Sequence, residues 1–301
     1  MDGLLIIDKP AGITSHDVVS RVRRILKTKR VGHTGTLDPF ATGVMVVLVG
    51  RATRLAQFLD KDQKEYEAVM RFGFETDTGD LTGTRNAADG MRDAEVSQRL
   101  SVVDWEDVLS NFRGEIEQVP PMYSAKKVDG KKLYEHARKG EVIEREPRRV
   151  MITKLLLSDP SAAADRLTVK IHVECSAGTY IRSLAEDIGR KIGIGAHLAE
   201  LRRTAAGGFN AAHSVSLDEL AALDDPATRL LPMERAVAHL PAIALNADRV
   251  EKTRGGLSTR VLDREWADKA FLQMLDENDK LVAIGVYLKE ENAVKPKIVL
   301  V

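Results

Sequence analysis

The sequence predicts an α+β fold: a large domain on a mixed, largely antiparallel sheet, then a small β-rich domain. Three observations carry this. Strands show period-two alternation. Lys64 to Gly73 puts Tyr66, Ala68, Met70 and Phe72 on one face and Glu65, Glu67 and Arg71 on the other, and Arg166 to Cys175 alternates Leu167, Val169, Ile171 and Val173. Helical spacing occurs only in isolated stretches, and turn signals such as Asp129-Gly130 mark hairpins rather than regular βαβ units. The pattern also breaks after Leu231-Pro232. From Pro241 the chain reads as short strands around Gly255-Gly256 and a turn at Asp276-Glu277-Asn278-Asp279, closing with Ile298 to Val301. The expected domains are therefore 1–232 and 233–301.

Taken in order, Gly3 to Asp8 reads as a first strand. Thr14 followed by Asp17 three residues later resembles a capping box. Val18, Val19, Val22, Ile25 and Leu26 then recur at helical spacing, which predicts an amphipathic helix over Asp17 to Lys27. Val44 to Val49 is an unbroken apolar run, a buried strand. Glu75 to Gly90 is rich in Gly, Asp and Thr and reads as a loop. Asp104 to Phe112 predicts a short helix. The Asp129-Gly130 pair marks a hairpin turn after Ser124–Val128. Arg148 to Leu157 is a further strand. Tyr180 to Ile192 is a helix with Ile181, Leu184, Ala185, Ile188 and Ile192 on its buried side, and Ser216 with Glu219 caps a last short helix.

Composition limits the function. The chain has 301 residues, 45 basic and 45 acidic side chains and a net charge of zero. A generic nucleic-acid glue carries a basic excess, so charge as a whole argues against one. Locally, however, Arg21, Arg23, Arg24, Lys27, Lys29 and Arg30 form one basic run, and Lys126, Lys127, Lys131, Lys132, Arg138 and Lys139 form another. The two runs suggest a local phosphate-binding surface. The single cysteine, Cys175, rules out an internal disulfide. No signal peptide and no membrane-length apolar stretch is expected, which points to a cytoplasmic protein. No G-x-G-x-x-G, P-loop or H-E-x-x-H string occurs, so nucleotide-cofactor and zinc-hydrolase readings lack support.

The most informative segment is G-H-T-G-T-L-D-P-F-A-T-G, Gly32 to Gly43. It holds one carboxylate, Asp38, fixed by Pro39 and flanked by Gly32, Gly35 and Gly43 at the mouth of a buried strand. A loop acid on a rigid scaffold is placed for chemistry, although an Asp-Pro pair alone is ordinary turn punctuation.

As twelve residues, this segment resembles the catalytic motif of the TruB family of pseudouridine synthases. Other segments resemble that family's motifs in the same order. They are D-K-P-A-G-I-T-S from Asp8, P-P-M-Y-S-A-K-K-V-D-G-K-K-L-Y-E-H-A-R-K-G from Pro120, G-T-Y-I-R-S-L-A-E-D-I-G from Gly178 and A-H-L-A-E-L-R-R-T from Ala196. The likeness spans roughly residues 3 to 210. It implies a pseudouridine-synthase catalytic domain, an RNA-gripping insertion at about 120–147 and a PUA-like C-terminal domain.

Pseudouridine formation breaks the N1–C1′ bond of uridine, turns the base and rejoins it through C5. It is an isomerisation, so no redox partner, phosphate donor, cofactor or metal is expected. One carboxylate suffices, as a nucleophile toward sugar or base or as a base toward the sugar. The resemblance makes Asp38 that catalytic carboxylate and Arg182 its charge partner. It makes Tyr66 a ring stacked on the target uracil, and Tyr180 and Leu201 linings of the uridine pocket. His33 becomes the side chain inserted into the RNA loop when the target base is extruded. Lys9 either supports the loop or meets phosphate. Lys126, Lys127, Lys131 and Lys132 are expected RNA contacts.

Gly-His-Thr-Gly and Ala-Gly-Thr-Tyr-Ile-Arg resemble the bacterial stand-alone branch of the family. That implies a monomer acting on the T-arm of tRNA, at the T-loop uridine at position 55, without a guide RNA. The alternative is a tRNA-binding or tRNA-folding protein whose catalysis is incidental. It needs the basic surfaces but not Asp38, Arg182 and Tyr66 together. A one-acid hydrolase is weaker, because glycoside hydrolysis usually wants two carboxylates.

Overall fold

The computed structural model describes residues 1–59, 63–86, 91–124, 127–128, 131–137, 140–141, 143–158, 167–262 and 264–301, and only the backbone of residues 127, 128, 131, 132, 134 and 135. Strand β1 (Gly3–Lys9) is followed by helix α1 (Ser15–Ile25), β2 (Val31–Thr34) and β3 (Thr42–Val49). Thr14 caps α1 in a capping box with Asp17, so the helix starts two residues before the expected Asp17. It stops before Lys27, whose φ of 49° leaves the helical region. Strand β2 falls inside the glycine-rich motif and was not expected. Val31–Thr34 pairs antiparallel with Val46–Val49, putting His33 opposite Val47.

Next come α2 (Ala56–Leu59), β4 (Lys64–Phe72), α3 (Asp93–Leu100), α4 (Trp105–Ser110), β5 (Gly114–Gln118) and the two-residue strands β6 (Lys127–Val128) and β7 (Lys131–Lys132). Helix α3 and strand β5 were not expected, whereas β6 and β7 form the expected hairpin pair. Its Asp129-Gly130 turn lies outside the described residues. The chain continues through α5 (Leu133–Ala137), β8 (Arg148–Leu157), β9 (Thr168–Cys175), α6 (Ile181–Lys191), β10 (Ala196–Ala206), β11 (Phe209–Asn210) and α7 (Leu217–Ala222). Tyr180 is the N-cap of α6 rather than its first residue.

The main sheet runs β1-β3-β10-β4-β9-β8-β5, with β2 added to β3 and β11 to β10. Among the described residues its one parallel strand pair is β3 with β10, so the sheet is mixed and largely antiparallel. On one side, α6, α3 and α4 pack onto the inward face of β4, β9 and β10 through Ala68, Met70, Ile171, Leu184 and Ile188. The period-two alternation of β4 lies on this core.

Strands β1 and β3 differ, because both of their faces are covered. Leu5, Ile7, Met45 and Val47 pack under α1 and α7 with Val18, Val22 and Leu217. The opposite face, Leu4, Ile6, Val44, Val46 and Leu48, packs against Ala236, Val237, Leu281, Ile284, Ile298 and Leu300. Burial on both faces is what a continuous apolar strand encodes.

Of these partners, Leu281, Ile284 and Ile298 belong to a second sheet. It comprises β12 (Ala242–Ala244), β13 (Thr259–Arg260), β14 (Phe271–Leu275), β15 (Leu281–Leu288) and β16 (Ala293–Val299), in the order β12-β14-β15-β16-β13. Helix α8 (Ala247–Arg254), capped by Asn246, occupies a stretch expected to hold only short strands. The Asp276 turn is as expected, with Asp276 Oδ1 accepting from the backbone N–H groups of Asn278 and Lys280. Among the described residues, no helix is long and apolar enough to cross a membrane.

Candidate active site

The loop from Gly35 to Ala41 enters the end of β3, and glycine is required where it does. Gly43 has φ of +103°, and a Cβ there would lie 2.2 Å from the Arg203 carbonyl oxygen. Only a residue without a Cβ lets β3 and β10 pair that closely. Ser15 ties the loop to α1, accepting from the Leu37 N–H at 2.9 Å and donating to the Leu37 carbonyl at 3.0 Å. Lys9 ties it to β1. Its ammonium donates to the carbonyls of Pro10, Ile13 and Pro39 at 2.9, 2.8 and 3.2 Å, and the residue is 0% exposed. These three bonds hold the loop against β1. Burial pushes its pKa down to about 8, against the attraction of Asp38.

Asp38 projects from this loop into a cleft of ≈ 270 Å³. Arg182, on the first turn of α6, meets its carboxylate with two contacts, Nε to Oδ2 at 2.9 Å and Nη2 to Oδ1 at 3.1 Å. The fork geometry of a guanidinium fits a carboxylate in this way. Arg182 is 4% exposed and Asp38 32%, so the pair is covered except where the carboxylate faces the cleft. Burial raises the Asp38 pKa above the ordinary carboxylate value. Arg182 opposes that rise, Asp80 adds to it and Lys9 opposes it from farther off.

Arg182 has further partners. Nη1 donates to the Thr78 carbonyl at 2.9 Å, and Nη2 to the Tyr123 carbonyl at 2.8 Å. On the side away from Asp38 stands Asp80, 7% exposed, 3.9 Å from Nη1. Asp80 is itself held by the Thr78 hydroxyl and by both the N–H and hydroxyl of Thr82. One buried cation thus lies between two carboxylates. Sequence reasoning missed Asp80, since it sits in the stretch read only as a Gly/Asp/Thr-rich loop.

The cleft wall gathers Tyr66, Tyr180, Arg182 and Leu201 around Asp38, with Lys64, Ser124 and Arg203 beside them. Tyr66 and Leu201 come from the adjacent strands β4 and β10. Tyr180 is fixed through its backbone, whose N–H and carbonyl both meet the Gln118 side-chain amide, at 2.9 and 3.2 Å. Gln118 is buried and is a second residue that the sequence did not single out.

The structure does not bring His33 into this wall; it is half-buried on β2, and the lining residues do not include it. Lys126, Arg138 and Lys139 lie outside the described residues. Of Lys127, Lys131 and Lys132, only the backbone of the hairpin is described. On the other basic run, Arg21, Arg24, Lys27, Lys29 and Arg30 are exposed, while Arg23 donates to the Val31 carbonyl. Among the described residues, no cluster of three or more His, Cys, Asp and Glu side chains could hold a metal ion.

Comparison with known proteins points to the same family. Residues 23–181 match the TruB family pseudouridylate synthase N-terminal domain. Residues 182–238 match the tRNA pseudouridylate synthase B C-terminal domain. A protein named tRNA pseudouridine synthase B from Bordetella avium is 48% identical over 241 residues, which cover 80% of this chain and 95% of that protein. Its namesake from Geobacillus thermodenitrificans is 42% identical over 299 residues, covering 96% and 95%.

Among solved structures, the crystal structure of a Cbf5-Nop10-Gar1 complex aligns with a TM-score of 0.71 at 27% identity, over 99% of this chain and 85% of that one. An H/ACA RNP bound to a substrate RNA containing 2′-deoxyuridine aligns with a TM-score of 0.69 at 26% identity, over 99% and 85%. The α+β expectation agrees with these neighbours, and the second, five-stranded sheet fits a PUA-like domain. With its glycine-bounded acid loop and full-length relatives at this identity, the chain belongs to the TruB family of pseudouridylate synthases.

Proposed function

We propose that the chain isomerises uridine to pseudouridine at position 55 in the T-loop of tRNA, with Asp38 as the reacting carboxylate and no cofactor or guide RNA. The observation that carries this reading is the Asp38 carboxylate itself. It faces a cleft, is gripped by Arg182 and stands beside Tyr66, Tyr180 and Leu201. In the reaction the N1–C1′ bond breaks, a C1′–C5 bond forms, C5 loses its proton and N1 gains one. No atoms enter or leave, so a carboxylate and a shaped pocket suffice.

The roles come from the surroundings. Arg182 favours the ionised form of Asp38 against burial, because a bidentate cation stabilises the charged form of a covered acid. Tyr66 and Leu201 offer a flat, apolar wall to a base. Ser124, within the insertion, closes the cleft from the side of residues 120–147. We read that segment, with Lys126, Lys127, Lys131 and Lys132, as the grip on the T-arm, and His33 as the side chain that enters the RNA loop. The exposed cations of α1 and its link to β2 add a phosphate-facing surface. Residues 1–232 form the catalytic domain in this reading, and 233–301 a PUA-like accessory domain.

The test is turnover of an isolated T-arm hairpin with protein and buffer alone. The proposal predicts pseudouridine at the T-loop uridine, with affinity falling steeply as salt rises. No product, with product once a guide RNA is supplied, would assign the chain to guided modification instead.

A further inference from the structure

Arg203 is among the largest fully buried side chains of the molecule, at 1% exposure, yet the chemistry above gives it no part. It sits on β10 directly opposite Tyr66 on β4 and opposite Gly43 on β3. Its guanidinium is pinned at both ends of the Asp38 loop: Nε donates to the Val44 carbonyl at 2.7 Å and Nη2 to the Gly35 carbonyl at 2.9 Å. Nη1 is packed so closely under Gly35 that a Cβ there would come within 3.2 Å of it. A planar group held by two of its edges cannot turn.

We infer that Arg203 is a positioning residue that fixes the direction of the Tyr66 hydroxyl in the Asp38 cleft. This rests on the reading of that cleft as the site of uridine isomerisation. Both side chains line the cleft, and they are cross-strand partners. A guanidinium only donates, so in the hydrogen bond that this cross-strand pairing allows, the Tyr66 oxygen is the acceptor. The phenolic proton must then point away from Arg203, toward the open side of the cleft where the base would lie. Burial raises the Tyr66 pKa, and the charge of Arg203 opposes that rise. The same guanidinium holds the carbonyls on either side of Asp38, so hydroxyl and carboxylate are registered against each other by one rigid group.

The test is a double-mutant cycle on full-length protein with tRNA. Arg203→Lys keeps the charge but loses the fork. It is expected to lower kcat by at least about tenfold while KM changes less than about threefold. In the Tyr66→Phe protein, the same change should lower kcat by less than about a further threefold, because the hydroxyl that Arg203 directs is gone. An equal loss in both backgrounds would mean that Arg203 acts only through the fold, and would overturn the inference. Should Arg203→Lys fail to fold, 15N NMR of the arginine side chains in the Tyr66→Phe protein decides the matter. An Arg203 resonance that shifts relative to wild type supports the contact, and one that does not move overturns it. Asp38→Asn is measured in parallel. If it keeps turnover, the isomerisation reading fails whatever the cycle shows.

Discussion

Replacing Arg182 with Met removes the guanidinium while keeping an unbranched side chain in its place. The structure sets the size of the effect. Asp38 loses both contacts to its partner, and the carbonyls of Thr78 and Tyr123 lose their donors. Breaking a buried ion pair costs about 3–5 kcal/mol. Asp38 is open to the cleft on one side, so the middle of that range, about 4 kcal/mol, is the working figure. For a domain of this size that is a fall in Tm of roughly 10 °C. Lost from the transition state instead, it is roughly a thousandfold in rate. Without the cation, burial and the nearby Asp80 charge both push the Asp38 pKa further up. Residual activity should then rise with pH, as Asp38 ionises later than in wild type. Thermal melting and single-turnover assays with tRNA across pH measure these effects. Wild-type turnover together with an unchanged melting temperature would refute the coupling of Arg182 to Asp38.

Three further outcomes rest on particular contacts. Asp80→Asn removes the charge that adds to the rise of the Asp38 pKa, so the acid limb of the kcat profile should move to lower pH. An unmoved profile would show that Asp80 is only a turn residue. Glu186→Gln tests a pH effect. Burial raises the Glu186 pKa from 4.5 to about 7, so the folded protein holds a proton that the unfolded chain has released, and stability falls as pH rises across that window. The glutamine variant should melt higher than wild type at pH 8 and alike at pH 4, and parallel curves would sink the argument. Truncation after about residue 235 uncovers Leu4, Ile6, Val44, Val46 and Leu48. Each is worth about 1.5–3 kcal/mol when buried, together comparable to the ~5–15 kcal/mol that holds a domain folded. The shortened chain should melt far lower or aggregate; a truncated protein that melts like the full chain would show that the second sheet is no part of the core.

Much of this arrangement was legible because its signals are local. Alternation in β4, the Thr14–Asp17 box and the Asp-Pro loop each lie within about ten residues, the range over which periodicity and turn chemistry act. Asp80 was not legible. It becomes part of the site only because Arg182, about a hundred residues later, folds back onto the Thr78 turn. The sequence leaves Lys9 open between loop support and a phosphate contact, and only the three converging carbonyls show how it is buried. Strand β2 was hidden inside the motif because a Gly-His-Thr string carries little strand propensity; its pairing with β3 makes it a strand. The double cover of β1 and β3 was visible as an apolar run. That the second cover comes from residues beyond 235 required the tertiary structure.

The central claim is that Asp38 converts a tRNA uridine, and nucleoside analysis tests it most directly. Unmodified tRNA is incubated with the wild-type chain or with Asp38→Asn, and the products are digested and separated. The account predicts one pseudouridine, at the T-loop position, from the wild type. It predicts none from the variant, although the variant still binds the tRNA. Pseudouridine from Asp38→Asn at the wild-type rate, or none from the wild type, would contradict it.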